Sequence, residues 1–239
     1  MTAPADRAAA AAGQINGELW TAVDRYITDA LVGHDAALEA ALEASAAAGL
    51  PPIAVSPPQG KLLWFLARLQ RACTILELGT LGAYSTIWLA RALPEGGGRV
   101  VTVELNAAYA EVAVANVERA GLTGLVEQRV GPAADVLARL SSVGEGPFDL
   151  IFIDADKKST PEYFTAALGL SRAGTLIVTD NVVRGGALID ADSEDEGALG
   201  MRRFHELLAD ESRVTATTIQ TVGAKGYDGF TVAQVTQAT

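Results

Sequence analysis

The chain has 239 residues, of which 49% are hydrophobic and 20% are charged, a composition that suits a globular protein with room for one large α/β domain. Its 18 basic and 29 acidic residues give a formal net charge of −11 at pH 7, which argues against general binding to nucleic acids or anionic membranes. No apolar run is long enough to span a membrane, the N-terminus lacks the apolar segment of a secretory signal, and Cys73 has no second cysteine to pair with, so we expect a cytoplasmic protein.

The first part of the chain is predicted to be mainly helical. Residues 1–15 are alanine-rich and are expected to form a flexible tail. Apolar residues recur at three- and four-residue spacing over 16–32 and 35–48, which predicts two helices. Gly49 and two proline pairs follow, and a further amphipathic helix is predicted over 59–71.

From residue 74 onward, strand-like and helical segments alternate. Strands are predicted at 74–78, 99–104, 125–130, 148–153 and 175–179, and helices between them at 84–93, 107–120, 132–140 and 160–171. Strands separated by helices of this length indicate right-handed βαβ units and an α/β fold with a parallel sheet. A helix near 197–210 and two β-rich runs at 213–222 and 229–235 come last, and the two runs are close enough to pair as an antiparallel hairpin at the sheet edge. No linker divides the chain, so we predict one domain over 1–239.

The first predicted strand leads into a glycine-containing turn and a helix. Such a turn lets the backbone approach a ligand, and the helix N-terminus offers free N–H groups to an anion. The spacing of Gly79 and Gly82 differs from the Gly-x-Gly-x-x-Gly of dinucleotide-binding proteins, so no pyrophosphate turn is predicted. Glu104 ends the second strand, where an acid can accept hydrogen bonds from both hydroxyls of a ribose, although a solvated strand-end acid is the alternative for Glu104 alone. The combination indicates a nucleoside ligand that carries a carboxylate, such as S-adenosylmethionine.

Two polar clusters follow later strands. Asp154 and Lys157 come after one apolar run, and Asp180 and Asn181 come after the next. Because the carboxyl ends of parallel strands line the ligand crevice of an open sheet, these side chains are expected to meet at one rim. Their oxygen atoms suit a divalent cation, Mg²⁺ first and Ca²⁺ or Mn²⁺ as alternatives. The competing interpretation is that they are turn residues, since Asp and Asn favour turns.

The motifs ELGTLGAYST, VVTVELN, VGPAADVL, FDLIFIDADKK, GTLIVTDNV and YDGFTVAQV occur in this order. In this respect the chain resembles the cation-dependent class I S-adenosylmethionine O-methyltransferases of the caffeoyl-CoA and catechol O-methyltransferase type. The resemblance implies a catalytic core over 53–236, with a doubly wound, Rossmann-like, seven-stranded, mostly parallel sheet, an antiparallel last strand and helices on both faces. It also implies S-adenosylmethionine as methyl donor, a divalent metal and a homodimer. The extra N-terminal helices of residues 16–50 are assigned to contacts with a partner subunit or the substrate.

The resemblance also assigns roles to individual residues. Metal ligands are expected at Asp154, Asp180 and Asn181, and Asp154 is expected to take part in catalysis and cofactor binding as well. Lys157 is expected to act as the base on the acceptor hydroxyl, with stabilisation of the phenolate as its alternative role. The remaining cofactor-binding residues are expected to be Val55 in the segment that covers the cofactor, Glu77, Gly79 and Ser85 at its methionine end, Glu104 at its ribose and Ala133 beside its adenine.

Three residues depart from the family pattern. Ala83 stands where the family usually has Gly, His205 where many members have Asn, and Arg184 where an aromatic residue is common. The last two are expected on or near the acceptor side, so the resemblance does not determine which acceptor fits. Because it lies on a predicted helix, His205 is expected to be a packed or surface residue rather than a catalyst. Asp156 is expected to support the site from behind or to cap a helix rather than to bind the metal.

The expected reaction is methylation of one hydroxyl of a vicinal-diol, catechol-like aromatic or natural-product molecule. One alternative is methylation of a hydroxylated tRNA base, which the net charge of −11 disfavours. Another is a nucleoside-binding regulatory protein without catalysis, which the intact ligand set and Lys157 disfavour. An NAD-dependent oxidoreductase is disfavoured more strongly, because the dinucleotide turn is absent.

Overall fold

A computed structural model describes residues 17–237, so the tail predicted over 1–15 lies outside the described residues. Seven strands form one sheet in the order β3-β2-β1-β4-β5-β7-β6. The strands are β1 (Thr74–Leu78), β2 (Arg99–Glu104), β3 (Val126–Val130), β4 (Leu150–Ile153), β5 (Leu176–Asp180), β6 (Val214–Gly223) and β7 (Gly226–Val235). The prediction of a doubly wound, mostly parallel sheet is confirmed.

Strand direction and order create a crevice at one edge of this sheet. Strands β1 to β5 run parallel, whereas β7 is antiparallel to both β5 and β6. The strand order reverses between β1 and β4, which opens the crevice at their carboxyl ends. Strand β7 begins at Gly226 rather than at 229, because its pairing with β6 continues to the turn after Gly223. Its Phe230 pairs with Asp180, so the hairpin reaches the end of β5.

The helices agree with the predicted pattern within a few residues. They are α1 (residues 17–27, continued by the π-helical turn Thr28–Val32), α2 (Ala36–Ala47), α3 (Pro57–Leu69), α4 (Tyr84–Ala92), α5 (Ala107–Arg119), α6 (Ala133–Ser142), α7 (Thr160–Gly169) and α8 (Glu196–Asp210), with a 3-10 segment at Arg184–Ile189. Helix α3 starts at Pro57 rather than at 59. The Ser56 hydroxyl caps it by accepting the N–H of Gln59 at 3.4 Å, and proline in the first turn needs no N–H donor.

Apolar residues pack on both faces of the sheet. On one face, helices α2 to α5 cover side chains such as Ile75 and Val100, and on the other, helices α6 to α8 cover side chains such as Leu76 and Val101. Successive side chains of a strand point to opposite faces, so each central strand contributes to both layers. Within residues 17–237, every helix is too short or too polar to cross a membrane.

A buried asparagine connects the N-terminal helices to the turn after β1. Asn116 in α5 is fully buried, and its Nδ2 donates to the carbonyl oxygens of Ala41 in α2, at 3.2 Å, and of Gly82, at 2.9 Å. Its Oδ1 accepts a hydrogen bond from Arg119. One amide therefore holds two helices against the loop that enters the crevice.

Replacing Asn116 with Ala should lower the free energy of unfolding by about 1–3 kcal/mol, because the Gly82 carbonyl and the Arg119 guanidinium lose a partner. Urea denaturation monitored by circular dichroism measures this change. Val114→Ala is the matched control, since Val114 lies on the exposed side of the same helix, and its effect should stay within about 0.5 kcal/mol. Equal effects of the two substitutions would show that the amide contacts contribute nothing.

Candidate active site

A cavity of about 890 Å³ opens at the carboxyl ends of the parallel strands. Its wall joins the turn after β1, the end of β2, the loop after β4 and the segment between α2 and α3. Of the residues predicted for the site, it is lined by Val55, Gly79, Ser85, Glu104, Ala133, Asp154, Lys157 and Asn181. Glu77 and Asp180 lie behind this wall, with exposed fractions of 0% and 4%.

Gly79 brings the two halves of the cavity into contact. Its φ of +99° is one that residues with a Cβ rarely adopt, and a Cβ built on it would lie 2.2 Å from the Asp154 carbonyl oxygen. Strand pairing fixes this approach, because Gly79 N–H donates to the Val103 carbonyl at 2.9 Å and Asp154 N–H donates to the Leu78 carbonyl at 2.8 Å. The turn expected to hold the cofactor therefore touches the residue expected to hold the metal.

The turn after β1 contains left-handed residues other than glycine. Ala83 takes up the left-handed conformation with φ of +65°, and Leu81 does so with φ of +50°. For residues with a Cβ, this conformation costs roughly 1–2 kcal/mol each. Hydrogen bonds from outside the turn offset that cost: Asn116 donates to the Gly82 carbonyl, and Leu81 N–H donates to Glu104 Oε2 at 2.8 Å.

Glu104 is oriented by the backbone around it. Its Oε1 accepts the N–H of Asn106 at 2.9 Å, in addition to the bond that Oε2 accepts from Leu81. A carboxylate has about four acceptor sites, so the two oxygens retain capacity for the two hydroxyls of a ribose. The side chain is 8% exposed and lines the cavity, as a ribose-binding acid must.

Glu77 supports the turn from inside the protein. Its carboxylate accepts hydrogen bonds from Ser85 Oγ at 2.6 Å, from Thr102 Oγ1 at 2.7 Å and from Thr86 Oγ1. Burial raises the pKa of Glu77 to about 7, although the three hydroxyl donors oppose the shift. Of these residues, Ser85 also lines the cavity, so Glu77 acts on the cavity through the Ser85 hydroxyl.

The acidic rim contains two carboxylates and one ammonium group. Lys157 Nζ donates to Asp154 Oδ1 at 2.7 Å, and Asp180 Oδ1 accepts the backbone N–H of Asn181 at 2.8 Å. Burial raises the pKa of Asp180, the negative charge of Asp154 raises it further, and Lys157 opposes both effects. A cation added at the rim would oppose this shift by stabilising the ionised form of Asp180.

The donor types at this rim fit a hard cation. Within residues 17–237, no three His, Cys, Asp or Glu side chains cluster in a way that could hold a metal ion. The candidate set instead combines the carboxylates of Asp154 and Asp180 with the amide of Asn181. Oxygen donors of this kind suit Mg²⁺, Mn²⁺ or Ca²⁺, with water and substrate oxygens completing the coordination.

Helix α8 packs directly on the loop that carries Lys157. A Cβ at Gly200 would lie 2.2 Å from the Lys157 carbonyl oxygen, and a Cβ at Gly197 would lie 3.4 Å from Lys157 Cβ. The Lys157 side chain is 11% exposed, whereas the neighbouring Lys158 is exposed and pairs with Glu196 at 2.8 Å. The packing therefore distinguishes two adjacent lysines, of which Lys157 faces the cavity.

Asp156 forms hydrogen bonds at the start of α7. Its Oδ1 accepts the N–H of Ser159 at 3.0 Å, next to the first residue of α7, and its Oδ2 accepts the Tyr163 hydroxyl. Its carboxylate oxygens are thus engaged at the start of this helix, but Asp156 also lines the cavity and is not the residue that caps the helix, so its supporting role stays a prediction.

The two residues expected near the acceptor differ in position. Arg184 lines the cavity, and its guanidinium lies 3.6 Å from Asp195. His205 is absent from the cavity lining, so the acceptor-side expectation is wrong for it, whereas the expectation of a packed residue is confirmed: it packs α8 against β6. Its ring nitrogens lie 2.8 Å from the Met201 carbonyl oxygen and 3.1 Å from Thr218 Oγ1.

Sequence reasoning missed residues that reach the site from distant segments. Thr86 and Thr102 hold Glu77, and Lys225 lines the cavity and donates to the Pro52 carbonyl oxygen at 2.6 Å. Asp228 binds the loop after β5. For Asp228, the motif YDGFTVAQV was a signal that could have indicated a role. Lys225 lies in a hairpin turn, and its approach to the cavity depends on the tertiary structure.

The fold and the cavity together define a class. A seven-stranded sheet with an antiparallel β7, a glycine turn after β1 and an acid at the end of β2 form a Rossmann-like methyltransferase fold. The cavity lies where such a fold binds its ligand.

Comparisons with known proteins identify the family within this class. The sequence profile of the O-methyltransferase family matches residues 29–234. A catechol O-methyltransferase from Niastella koreensis is 52% identical over 221 residues, covering 92% of this chain and 100% of the relative. One from Mycobacterium tuberculosis is 51% identical over 214 residues, covering 89% and 94%. The chain belongs to the O-methyltransferase family, and the predicted resemblance is confirmed.

Solved structures agree with this assignment. An O-methyltransferase from Bacillus cereus in complex with SAH has a TM-score of 0.90 and 55% identity, covering 92% of this chain and 99% of that chain. The O-methyltransferase TomG from Streptomyces achromogenes, involved in tomaymycin synthesis and solved with SAM, has a TM-score of 0.88 and 56% identity, covering 92% and 98%.

Glu77 should make stability depend on pH. Because its pKa rises from 4.5 to about 7 on folding, the native protein retains a proton that the unfolded chain releases between these values. The contribution of Glu77 to the free energy of unfolding is therefore fully present below pH 4.5. It falls as the pH rises towards 7, with a slope of at most about 1.4 kcal/mol per pH unit.

Glu77→Gln removes this titration and keeps an oxygen acceptor. Urea unfolding of both proteins at pH 5, 6, 7 and 8 should show that the stability of the wild type relative to the variant decreases from pH 5 to 7 and then levels off. Asp180 also makes the free energy of unfolding decrease with pH, but it does so in both proteins. The difference in stability between the two proteins therefore reports on Glu77. Parallel curves would contradict the assignment.

Proposed function

We propose that this protein is an S-adenosylmethionine-dependent, divalent-metal-dependent O-methyltransferase that methylates one hydroxyl of a catechol-like aromatic or natural-product molecule. The observation that carries the proposal is the contact between Gly79 and Asp154, which joins the candidate cofactor turn to the candidate metal rim within one cavity. The names of the relatives that are about 50% identical support the acceptor class.

The cofactor half of the cavity offers the contacts that S-adenosylmethionine requires. Glu104 would accept the ribose hydroxyls, and Ser85 at the start of α4 would meet the methionine end. Gly79 allows close approach of the backbone. Val55 and Ala133 form apolar parts of the cavity wall. Val55 is proposed to cover the cofactor, and Ala133 is proposed to contact its adenine. The SAH and SAM found in two related structures support this ligand.

The metal half would hold the cation through Asp154, Asp180 and Asn181. When bound, a divalent cation supplies positive charge that favours ionisation of an adjacent acceptor hydroxyl and the neutral amine form of Lys157. Mg²⁺ is the proposed ion, with Ca²⁺ or Mn²⁺ as substitutes. The repulsion between the buried carboxylate of Asp180 and the partly exposed carboxylate of Asp154 supports the proposal, because a cation would relieve it.

Lys157 would accept the proton of the acceptor hydroxyl at Nζ. The acceptor oxygen would then form a bond to the methyl carbon as the bond from that carbon to the sulfonium sulfur breaks, leaving S-adenosylhomocysteine. Asp154 would support the reaction by fixing Lys157 through the 2.7 Å contact. It also lies at the rim where the acceptor is proposed to bind. Stabilisation of the phenolate by Lys157 as an ammonium group is the competing role.

The protein is further proposed to form a homodimer and to reside in the cytoplasm. Apolar side chains remain exposed on the N-terminal helices in the described chain, with Leu19 57%, Tyr26 74% and Leu31 66% exposed. A partner subunit that covers these residues would remove apolar surface from water. Contacts with a partner subunit or the substrate are accordingly proposed for the helices up to residue 50.

Methyl transfer from S-adenosylmethionine to catechol should require a divalent cation. With 1,2-dihydroxybenzene as acceptor, EDTA should abolish product formation, and excess Mg²⁺ or Mn²⁺ should restore it. Phenol, with a single hydroxyl, is the control acceptor and should be methylated at least about 100-fold more slowly. Chromatography coupled to mass spectrometry measures the product. Full activity in EDTA would rule out the metal, and S-adenosylmethionine binding without turnover on a panel of catechols would favour a binding-only protein.

Lys157→Ala should reduce kcat by about 10²–10⁴-fold, because the acceptor proton loses its base. The adjacent Lys158→Ala is the matched control and should leave kcat within about twofold, since Lys158 is exposed and pairs with Glu196. Steady-state rates from pH 6 to pH 9 measure both effects. An unchanged rate for Lys157→Ala across this range would exclude Lys157 as the base. A reduction in kcat that disappears at high pH would support the role of base over simple stabilisation of the phenolate.

A further inference from the structure

One carboxylate from β7 holds the loop that follows the candidate metal ligands. Asp228 Oδ1 accepts the backbone N–H groups of Val183 at 2.9 Å and Arg184 at 3.0 Å, and also that of Gly229 at 2.9 Å. The neighbouring Gly229 carbonyl accepts the N–H of Val182 at 3.0 Å. Three successive N–H groups after Asn181 are therefore bound by two consecutive residues of the hairpin.

This loop has a conformation that needs support from outside. Asn181 and Arg184 are both left-handed, with φ of +54° and +57°, and Gly185 and Gly186 follow with φ of +62° and +96°. Left-handed residues with a Cβ cost roughly 1–2 kcal/mol each and persist when surrounding contacts fix them. Both Asn181 and Arg184 line the cavity, so the strained positions are those that face a ligand.

The hairpin packs closely against the loop at Gly229. A Cβ at Gly229 would lie 2.7 Å from Val183 Cγ2 and 2.5 Å from the Ile219 carbonyl oxygen. Strand β7 also pairs Phe230 with Asp180, the last residue of β5. The same strand therefore fixes Asp180 by sheet pairing and the residues after Asn181 through Asp228. Asp228 itself is absent from the cavity lining.

We infer that Asp228 is a positioning residue for the metal half of the site: it holds the loop after β5 so that Asn181 presents its amide oxygen to the cation beside Asp154 and Asp180. The inference rests on the proposed function, since it assumes the metal site. Outer partners of metal ligands commonly affect metal affinity by 10–100-fold without touching the metal.

The test measures Mn²⁺ binding directly, by the electron paramagnetic resonance signal of free Mn²⁺ titrated with the full chain in the absence of acceptor. Asp228→Ala should raise the Kd for Mn²⁺ about 10–100-fold. Asp228→Glu, which keeps the charge but displaces the oxygen by one methylene, should raise it about as much. Asp228→Asn, which keeps an oxygen acceptor at the same position but loses the charge, should stay within about threefold of the wild type.

Glu211→Ala is the matched control. Glu211 is also a carboxylate that accepts a backbone N–H beside this hairpin, that of Arg213 at 3.1 Å, but it precedes β6 and is absent from the cavity lining. Its loss should leave the Kd for Mn²⁺ unchanged. Calorimetric titration with S-adenosylmethionine should give a Kd within about twofold of the wild type for every variant, which shows that each is folded with an intact cofactor half.

The outcomes separate the two proposals. If the wild type fails to bind Mn²⁺, the proposed metal site is wrong. If the wild type binds and Asp228→Ala and Asp228→Glu bind equally well, the positioning role is wrong. If Asp228→Asn is as weak as Asp228→Ala while Asp228→Glu is normal, Asp228 acts through its charge, and the positioning role is again overturned. Should Asp228→Ala not fold, the opposed predictions for Asp228→Glu and Asp228→Asn decide the question.

Discussion

The close approach of Gly79 to the backbone of Asp154 is the constraint on which the site depends. Neighbouring parallel strands end side by side, and a residue without a Cβ at the end of β1 lets the chain turn against the end of β4. A side chain here would meet the Asp154 carbonyl oxygen at 2.2 Å and would push the two halves of the cavity apart. Methyl transfer needs donor and acceptor atoms within a few tenths of an ångström of their reactive positions. The distance between the ends of β1 and β4 therefore affects how well the two reactants can be aligned.

Buried acids give the site its electrostatic character. Glu77 lies beneath the turn after β1, and Asp180 lies behind the rim beside Asp154. Neither has a full counter-charge in the described chain: hydroxyl groups hold Glu77, and Lys157 offsets the charge at Asp180 in part. Such an arrangement costs stability in the free protein, and the proposed cation would favour the bound state because it would relieve the repulsion that burial amplifies. The net charge of −11 and the acidic residues of the rim would therefore both favour the binding of a cation.

Local patterns in the sequence predicted a parallel α/β sheet and the strand ends that meet at one cavity, and the family resemblance supplied the number of strands. The alternation of apolar strands and amphipathic helices predicted the sheet, and the polar residues at strand ends predicted the rim, because both signals lie within short segments. The contacts that hold those residues could not be predicted in this way. Asp228 binds Val183 across 45 positions, and Asn116 binds Ala41 across 75, so they depend on packing between distant segments. His205 was misplaced because its position in the chain does not reveal which side of α8 faces β6.

The placement of β7 between β5 and β6 has a consequence for synthesis of the protein on the ribosome. The residues proposed for the cofactor half, from Val55 to Ala133, all precede β4, so this half can begin to assemble while later segments are still being made. The rim cannot, since Asp180 is paired by Phe230 and the loop beyond it is held by Asp228. A nascent chain would thus acquire the proposed surroundings of the methyl donor before those proposed for a cation, and the edge of β5 would stay unpaired until the final hairpin emerges.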